Sequence, residues 1–250
     1  MKKILYVLMS GIMMVSLCSC KEEKKDNDNK VIQEGMVNGD YVNLSSDITM
    51  EQLEELIDTD VAETIDAING KWDSLKSEVD SYDKYLDNVN VVEAFYEGVY
   101  DDTRLLCIRL REYAYAYANL IVESDMSFDD MKDACGEIYD IIYDDACGEI
   151  YDEIYDNLLD DVYDYYYDGI LDGAYDNEEY ESYEEWSEVL SDEYELWSET
   201  LSDVYSEYSD VMNDTYAFYS DLRRELHDED MEETLEIIGD FKEVISDLKN

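Results

Sequence analysis

From Ala134 to Tyr175 the chain reads ACGEIYDIIYDDACGEIYDEIYDNLLDDVYDYYYDGILDGAY. Apolar pairs recur in it every four residues: Ala134-Cys135, Ile138-Tyr139, Ile142-Tyr143, Ala146-Cys147, Ile150-Tyr151, Ile154-Tyr155, Leu158-Leu159, Val162-Tyr163, Tyr166-Tyr167, Ile170-Leu171 and Ala174-Tyr175. Part of the run is a direct duplication, since ACGEIY stands at both 134–139 and 146–151. A strand alternates every second residue, so this period belongs to a helix. Four residues turn an α-helix by about 400°, and each pair therefore advances by about 40°. Over the whole run the stripe would complete about one circuit. Such a helix is expected to wrap its partners with right-handed twist, or to be covered from different sides along its length. Gly169 and Gly173 are the expected points of bend or break.

The flanking periods are also helical. From Trp186 the apolar steps run four, four, three: Trp186, Leu190, Tyr194, Trp197, Leu201, Tyr205, Tyr208, Met212, Tyr216 and Tyr219. This eleven-residue repeat fits about 3.67 residues per turn and predicts slight right-handed supercoiling. Upstream, Thr49-Met-Glu-Gln52 has the spacing of a capping box. Ile65, Ile68, Trp72, Leu75, Val79, Tyr82, Leu86 and Val89 follow it as a heptad seam. After a pause at Asn88–Asn90, a second helix carries Val92, Phe95, Val99, Leu106, Leu110, Tyr113, Tyr117 and Leu120 on one face. Ser127 marks the next N-cap, and a last amphipathic helix runs from about Asp230 to Leu248. With no proline in 250 residues and only ten glycines, the expectation is an all-α, elongated helical bundle with at least one helix beyond about 60 Å. It is organised as a coiled-coil-like hairpin over 47–125 and long acidic, tyrosine-rich helices over 127–250.

The first residues carry a different message. Met-Lys-Lys precedes an apolar stretch from Ile4 to Leu17, the layout of a secretory signal and too short to span a bilayer comfortably. Leu17-Cys18-Ser19-Cys20 resembles the bacterial lipobox, which implies a signal peptide over 1–19, lipid attachment at Cys20 and a lipoprotein held on a bacterial membrane. The cysteine at position 18 departs from the usual residue there, and the alternative is an ordinary secretory signal with incidental cysteines. Residues 20–46 are polar and read as a solvated tether. Lys21-Glu22-Glu23 resembles the lysine-acidic-acidic signals that direct some lipoproteins to the cell surface. Residues 136–250 resemble small, acidic, tyrosine-rich helical lipoproteins, a likeness of composition and repeat that implies no activity.

A formal charge of −51 repels nucleic acid, anionic lipid and acidic polysaccharide. Asp140, Asp144, Asp152, Asp156, Asp160, Asp164, Asp168, Asp172 and Asp176 repeat the four-residue spacing. Like charges at that spacing oppose a helix by about 0.2–0.5 kcal/mol each. The row reads as a solvated face screened by salt, with loosely bound divalent cations as the alternative, because hard cations prefer carboxylate oxygens. No loop of the EF-hand type accompanies it. Tyrosines at core spacing read as core. Arg104, Arg109 and Arg111 are expected to pair with the acidic helices. Cys107, Cys135 and Cys147 read as small buried residues, with a bridge from Cys107 as the alternative. The sole histidine, His227, stands at a helix end, and no nucleophile elbow, phosphate-binding loop or zinc motif is present. The expectation is therefore no enzyme, no cofactor, no defined metal site and no nucleic-acid partner. In its place stands a structural or protein-interaction role in the cell envelope, through a protein partner or self-association. The alternative is electrostatic capture of divalent cations or cationic peptides.

Overall fold

The computed structural model describes residues 48–178, 180 and 182–249. The signal, Cys20 and the tether lie outside the described residues. The described chain is almost wholly helical, with no strand. Its elements are α1 (Met50–Glu78), the short α2 (Tyr82–Asp87), α3 (Val89–Glu123), α4 (128–176), α5 (Tyr183–His227) and α6 (Met231–Leu248). α5 has 45 residues, about 68 Å at 1.5 Å per residue.

Local chemistry fixes the helix starts. Thr49 Oγ1 accepts from the Gln52 amide at 3.2 Å and Gln52 Oε1 accepts from the Thr49 amide at 3.0 Å, completing the expected capping box. The side chains of Ser127, Ser182 and Asp230 cap α4, α5 and α6, each accepting from the amide three residues on. The heptad seam is buried from Val61 to Tyr82 but breaks after α1, so Tyr85 replaces Leu86 on the inner face and Leu86 is exposed.

α1 and α4 run parallel, with Trp72 bonded to Asp161, while α3 and α5 run parallel with Arg111 on Asp214 and Tyr219 on the Ala114 carbonyl. Each pair is antiparallel to the other, and the four helices close a bundle in the order α1, α3, α5, α4. α6 packs on the outside of α3 and α5, where Phe241 stacks on Phe218 at 3.9 Å. α3 is the central helix: it buries Arg111 and Glu112 as well as its apolar stripe. One continuous core joins all of these elements.

α4 departs from the expected course. It continues through Gly169 and Gly173 without a break, and three π-helical segments interrupt its α-helix: Ile141–Ala146, Ile150–Leu158 and Asp164–Asp172. A π-turn holds about 4.4 residues where an α-turn holds about 3.6. Alternating the two gives close to four residues per turn, the period of the sequence. The stripe therefore does not wind around the helix. Ile138, Ile142, Ala146, Ile150, Ile154, Leu158, Val162, Tyr166 and Ala174 are all buried on one face, in the groove between α5 and α1–α3.

Candidate functional site

Three π segments in one helix have a structural cause in its neighbour. The duplication at 134 and 146 belongs to a twelve-residue unit whose tyrosines stand at Tyr139, Tyr151, Tyr163 and Tyr175. Each of the first three units contains one π segment. α5 repeats every eleven residues, and an all-α repeat of that length makes three turns over about 16.5 Å. A twelve-residue unit at four residues per turn also makes three turns. The two helices therefore stay in step although their repeats differ by one residue. Ring contacts show the match: Tyr151 meets Tyr208 at 5.5 Å, Tyr163 meets Trp197 at 4.6 Å, and Tyr175 meets Trp186 at 4.6 Å. Each step is twelve residues on α4 and eleven on α5.

The product is a tyrosine seam along the α4–α5 edge. On α4 the rings stack in pairs, Tyr139 with Tyr143 at 4.8 Å, Tyr151 with Tyr155 at 5.1 Å and Tyr163 with Tyr167 at 4.7 Å. On α5, Tyr183, Tyr194, Tyr205 and Tyr216 are 60, 49, 49 and 60 % exposed. The expectation that these tyrosines form the core is corrected here. The inward face of α5 is the adjacent one, with Val204, Val211, Phe218, Leu222 and the polar Glu193, Thr200 and Thr215. A tyrosine can stand at the rim because its ring packs sideways on the next ring while its hydroxyl reaches water. In the sequence the buried residues stand one position before the exposed tyrosines, Glu193 before Tyr194, Val204 before Tyr205 and Thr215 before Tyr216.

The nine aspartates of the four-residue row are all exposed. Because α4 turns once per four residues, they stay in one column beside the seam. The Asp160 carboxyl is pushed up, by partial burial first and then by Asp156 and Asp164. No group of acidic, cysteine or histidine side chains with the geometry to hold a metal ion occurs among the described residues.

Two buried polar clusters lie elsewhere. Glu193 is fully buried and accepts from Tyr85 Oη at 2.5 Å and Tyr96 Oη at 2.6 Å. Burial raises its pKa, and the two hydroxyls oppose that rise. Tyr166, edge-on to Tyr85 at 5.4 Å, keeps a buried hydroxyl without a hydrogen-bond partner. Asp60 accepts from Arg109 Nε at 2.6 Å and Nη2 at 2.9 Å, and from Tyr113 Oη at 2.9 Å. Both clusters tie helices together, and Asp60 and Arg109 also line an open groove with Glu63, Thr64, Lys71 and Asp102.

The remaining sequence candidates fall as follows. Arg104 and Arg111 pair with Glu207 and Asp214 on α5, and Arg109 pairs with Asp60 on α1. Cys107, Cys135 and Cys147 are free and buried. Burial pushes the thiols of Cys135 and Cys147 up to about 12 and raises Cys107 as well, so none is poised as a nucleophile. His227 is the exposed last residue of α5. Comparison with protein-family models, with curated proteins and with solved structures finds no match for this chain.

Proposed function

We propose that this chain is an extracytoplasmic protein of the bacterial cell envelope, lipid-anchored to a membrane through Cys20, with a structural or protein-interaction role and no catalysis. The observation that carries the interaction role is the exposed tyrosine seam. Six of the large exposed apolar side chains, Tyr151, Tyr175, Tyr183, Tyr194, Tyr205 and Tyr216, share this one edge, while the others are scattered. Tyrosine is the residue that contact surfaces favour, because a rigid ring contributes area at low entropic cost and its hydroxyl stays usable. The anchor rests on the lipobox-like Leu17-Cys18-Ser19-Cys20. No helix of the described residues is long and apolar enough to cross a membrane.

A photocrosslinking residue at Tyr205 in living cells tests the role. It is expected to trap an envelope protein, or a second copy of this chain, that the same residue at Val91 on the far side does not. No crosslink from any seam position would overturn the interaction role. A Cys20→Ala chain is expected to lose incorporation of labelled fatty acid and to leave the membrane fraction. The second reading, electrostatic capture of divalent cations or cationic peptides, is favoured by the exposed aspartate column, which only Gly148 interrupts. Calcium at micromolar concentration would then raise thermal stability beyond the effect of sodium chloride at matched ionic strength.

A further inference from the structure

The seam has a fixed repeat and a fixed charge, and the opposite flank of α4 shows how a cation can engage tyrosine and aspartate together. Its exposed tyrosines on α5 stand eleven residues apart, about 16.5 Å. No lysine or arginine occurs between Lys132 and Arg223, so both helices of the edge are purely anionic over the length of the seam. A second copy of the chain would set one carboxylate column against another.

The opposite flank of α4 is already covered by a helix of this protein, and the contact there is specific. Lys76 of α1 places its ammonium 5.3 Å from the centre of the Tyr165 ring while bonding Asp161 at 2.7 Å. Here a helix packed on α4 sets a cation over a tyrosine ring and holds it on a carboxylate one turn away, although Tyr165 and Asp161 lie outside the seam. On the open flank the same residue types, tyrosine and aspartate, repeat without a covering helix.

Resting on the protein-interaction reading above, we infer that the α4–α5 seam docks a helical segment of a partner protein that carries arginine or lysine at eleven-residue spacing. Successive cations of such a helix, about 16.5 Å apart, would meet successive tyrosines of α5. Charge brings the partner to the edge, and the ring spacing selects its register.

The test uses the full-length chain in detergent and two helical 44-residue peptides built from alanine and glutamine. One carries four arginines at eleven-residue intervals and the other carries the same four at seven-residue intervals. Fluorescence anisotropy of the labelled peptides is expected to show at least tenfold tighter binding of the first. The variant with Tyr183→Ser, Tyr194→Ser, Tyr205→Ser and Tyr216→Ser keeps the charge, and its binding is expected to weaken at least tenfold. The four Tyr→Phe changes are expected to preserve binding, because the ring face is retained. Circular dichroism confirms that each variant is folded. Equal binding of both peptides, or of the serine variant and the parent, would overturn the inference and leave only polyelectrolyte attraction. So would a dimer that the serine changes dissociate. A partner trapped at Tyr205 in cells alongside failure of both peptides would sink this partner chemistry and leave the interaction role standing.

Discussion

Glu193 sits where apolar burial would serve α5 better, and only the hydroxyls of Tyr85 and Tyr96 make its position tenable. Removing the carboxylate by Glu193→Ala leaves two buried hydroxyls unpartnered and is expected to cost about 2–5 kcal/mol. Glu193→Gln can accept from one tyrosine and donate to the other, so it is expected to be at least as stable as the parent at neutral pH. The pH dependence has a definite sign. A carboxyl whose folded-state pKa is raised takes up a proton on folding, so its contribution falls as pH rises from the ordinary 4.5 through the folded-state value, and is flat above it. Urea unfolding of parent and Glu193→Gln between pH 4.5 and 8 should show that slope only in the parent; matching slopes would place the titration elsewhere. At Asp60 the logic is reversed, because its loss strands the Arg109 guanidinium. Asp60→Ala is expected to cost about 3–5 kcal/mol. A loss below about 1 kcal/mol in the same assay would mean that Arg109 finds another acid.

Two elements, α4 and α5, show how far periodicity carries and where it stops. The helix starts at Thr49, Ser127 and Asp230 were legible because a side-chain oxygen three residues before a backbone amide is local chemistry. The four-residue period was legible too, but its consequence was not. An ideal α-helix makes the stripe wind, whereas α4 changes its own turn to keep Ile138 to Ala174 in one groove, because the partner's eleven-residue repeat demands it. Likewise Trp186-Leu190-Tyr194 marked a stripe on α5, but only the position of α4 decides that Trp186, Tyr208 and Tyr219 are buried while Tyr194, Tyr205 and Tyr216 stand at the rim. The buried Glu193 cluster was invisible because Glu193 is about a hundred residues from Tyr85 and Tyr96. Removing the exposed Asn157 from the π segment Ile150–Leu158 turns a twelve-residue unit into an eleven-residue α unit, still three turns long. Its effect is expected to stay within about 1 kcal/mol. Removing the exposed Ser206 from α5 rotates everything beyond it by about 100° and turns Val211, Thr215 and Phe218 out of the core. That deletion is expected to abolish cooperative unfolding. Thermal melts followed by circular dichroism compare the two, and equal damage from both would refute the matching of repeats.

For the whole molecule, a charge of −51 adds self-repulsion to the entropic cost of folding, and the anionic edge of α4 and α5 concentrates it. Two adjacent aspartates on α4 separate the repulsive background from local bonding. Asp160 is exposed between Asp156 and Asp164, and burial together with these neighbours raises its pKa. Asp161 bonds Trp72 Nε1 and Lys76 Nζ, each at 2.7 Å, and the lysine holds its carboxyl below the ordinary value. Asp160→Asn removes two like-charge pairs and is expected to stabilise by about 0.4–1 kcal/mol at low ionic strength. Asp161→Asn weakens two bonds across the α1–α4 contact and is expected to destabilise by about 0.5–1.5 kcal/mol. Salt tells the two mechanisms apart. Raising sodium chloride from 10 mM to 0.5 M shortens the screening length from about 30 Å to a few ångströms, so it should stabilise the parent and erase the gain of Asp160→Asn. The loss in Asp161→Asn should largely persist, since the indole bond is unscreened at contact distance. If salt left the parent's melting temperature unchanged, repulsion would not be the quantity that the aspartate column sets, and counter-ions already bound along it would have to be neutralising the edge.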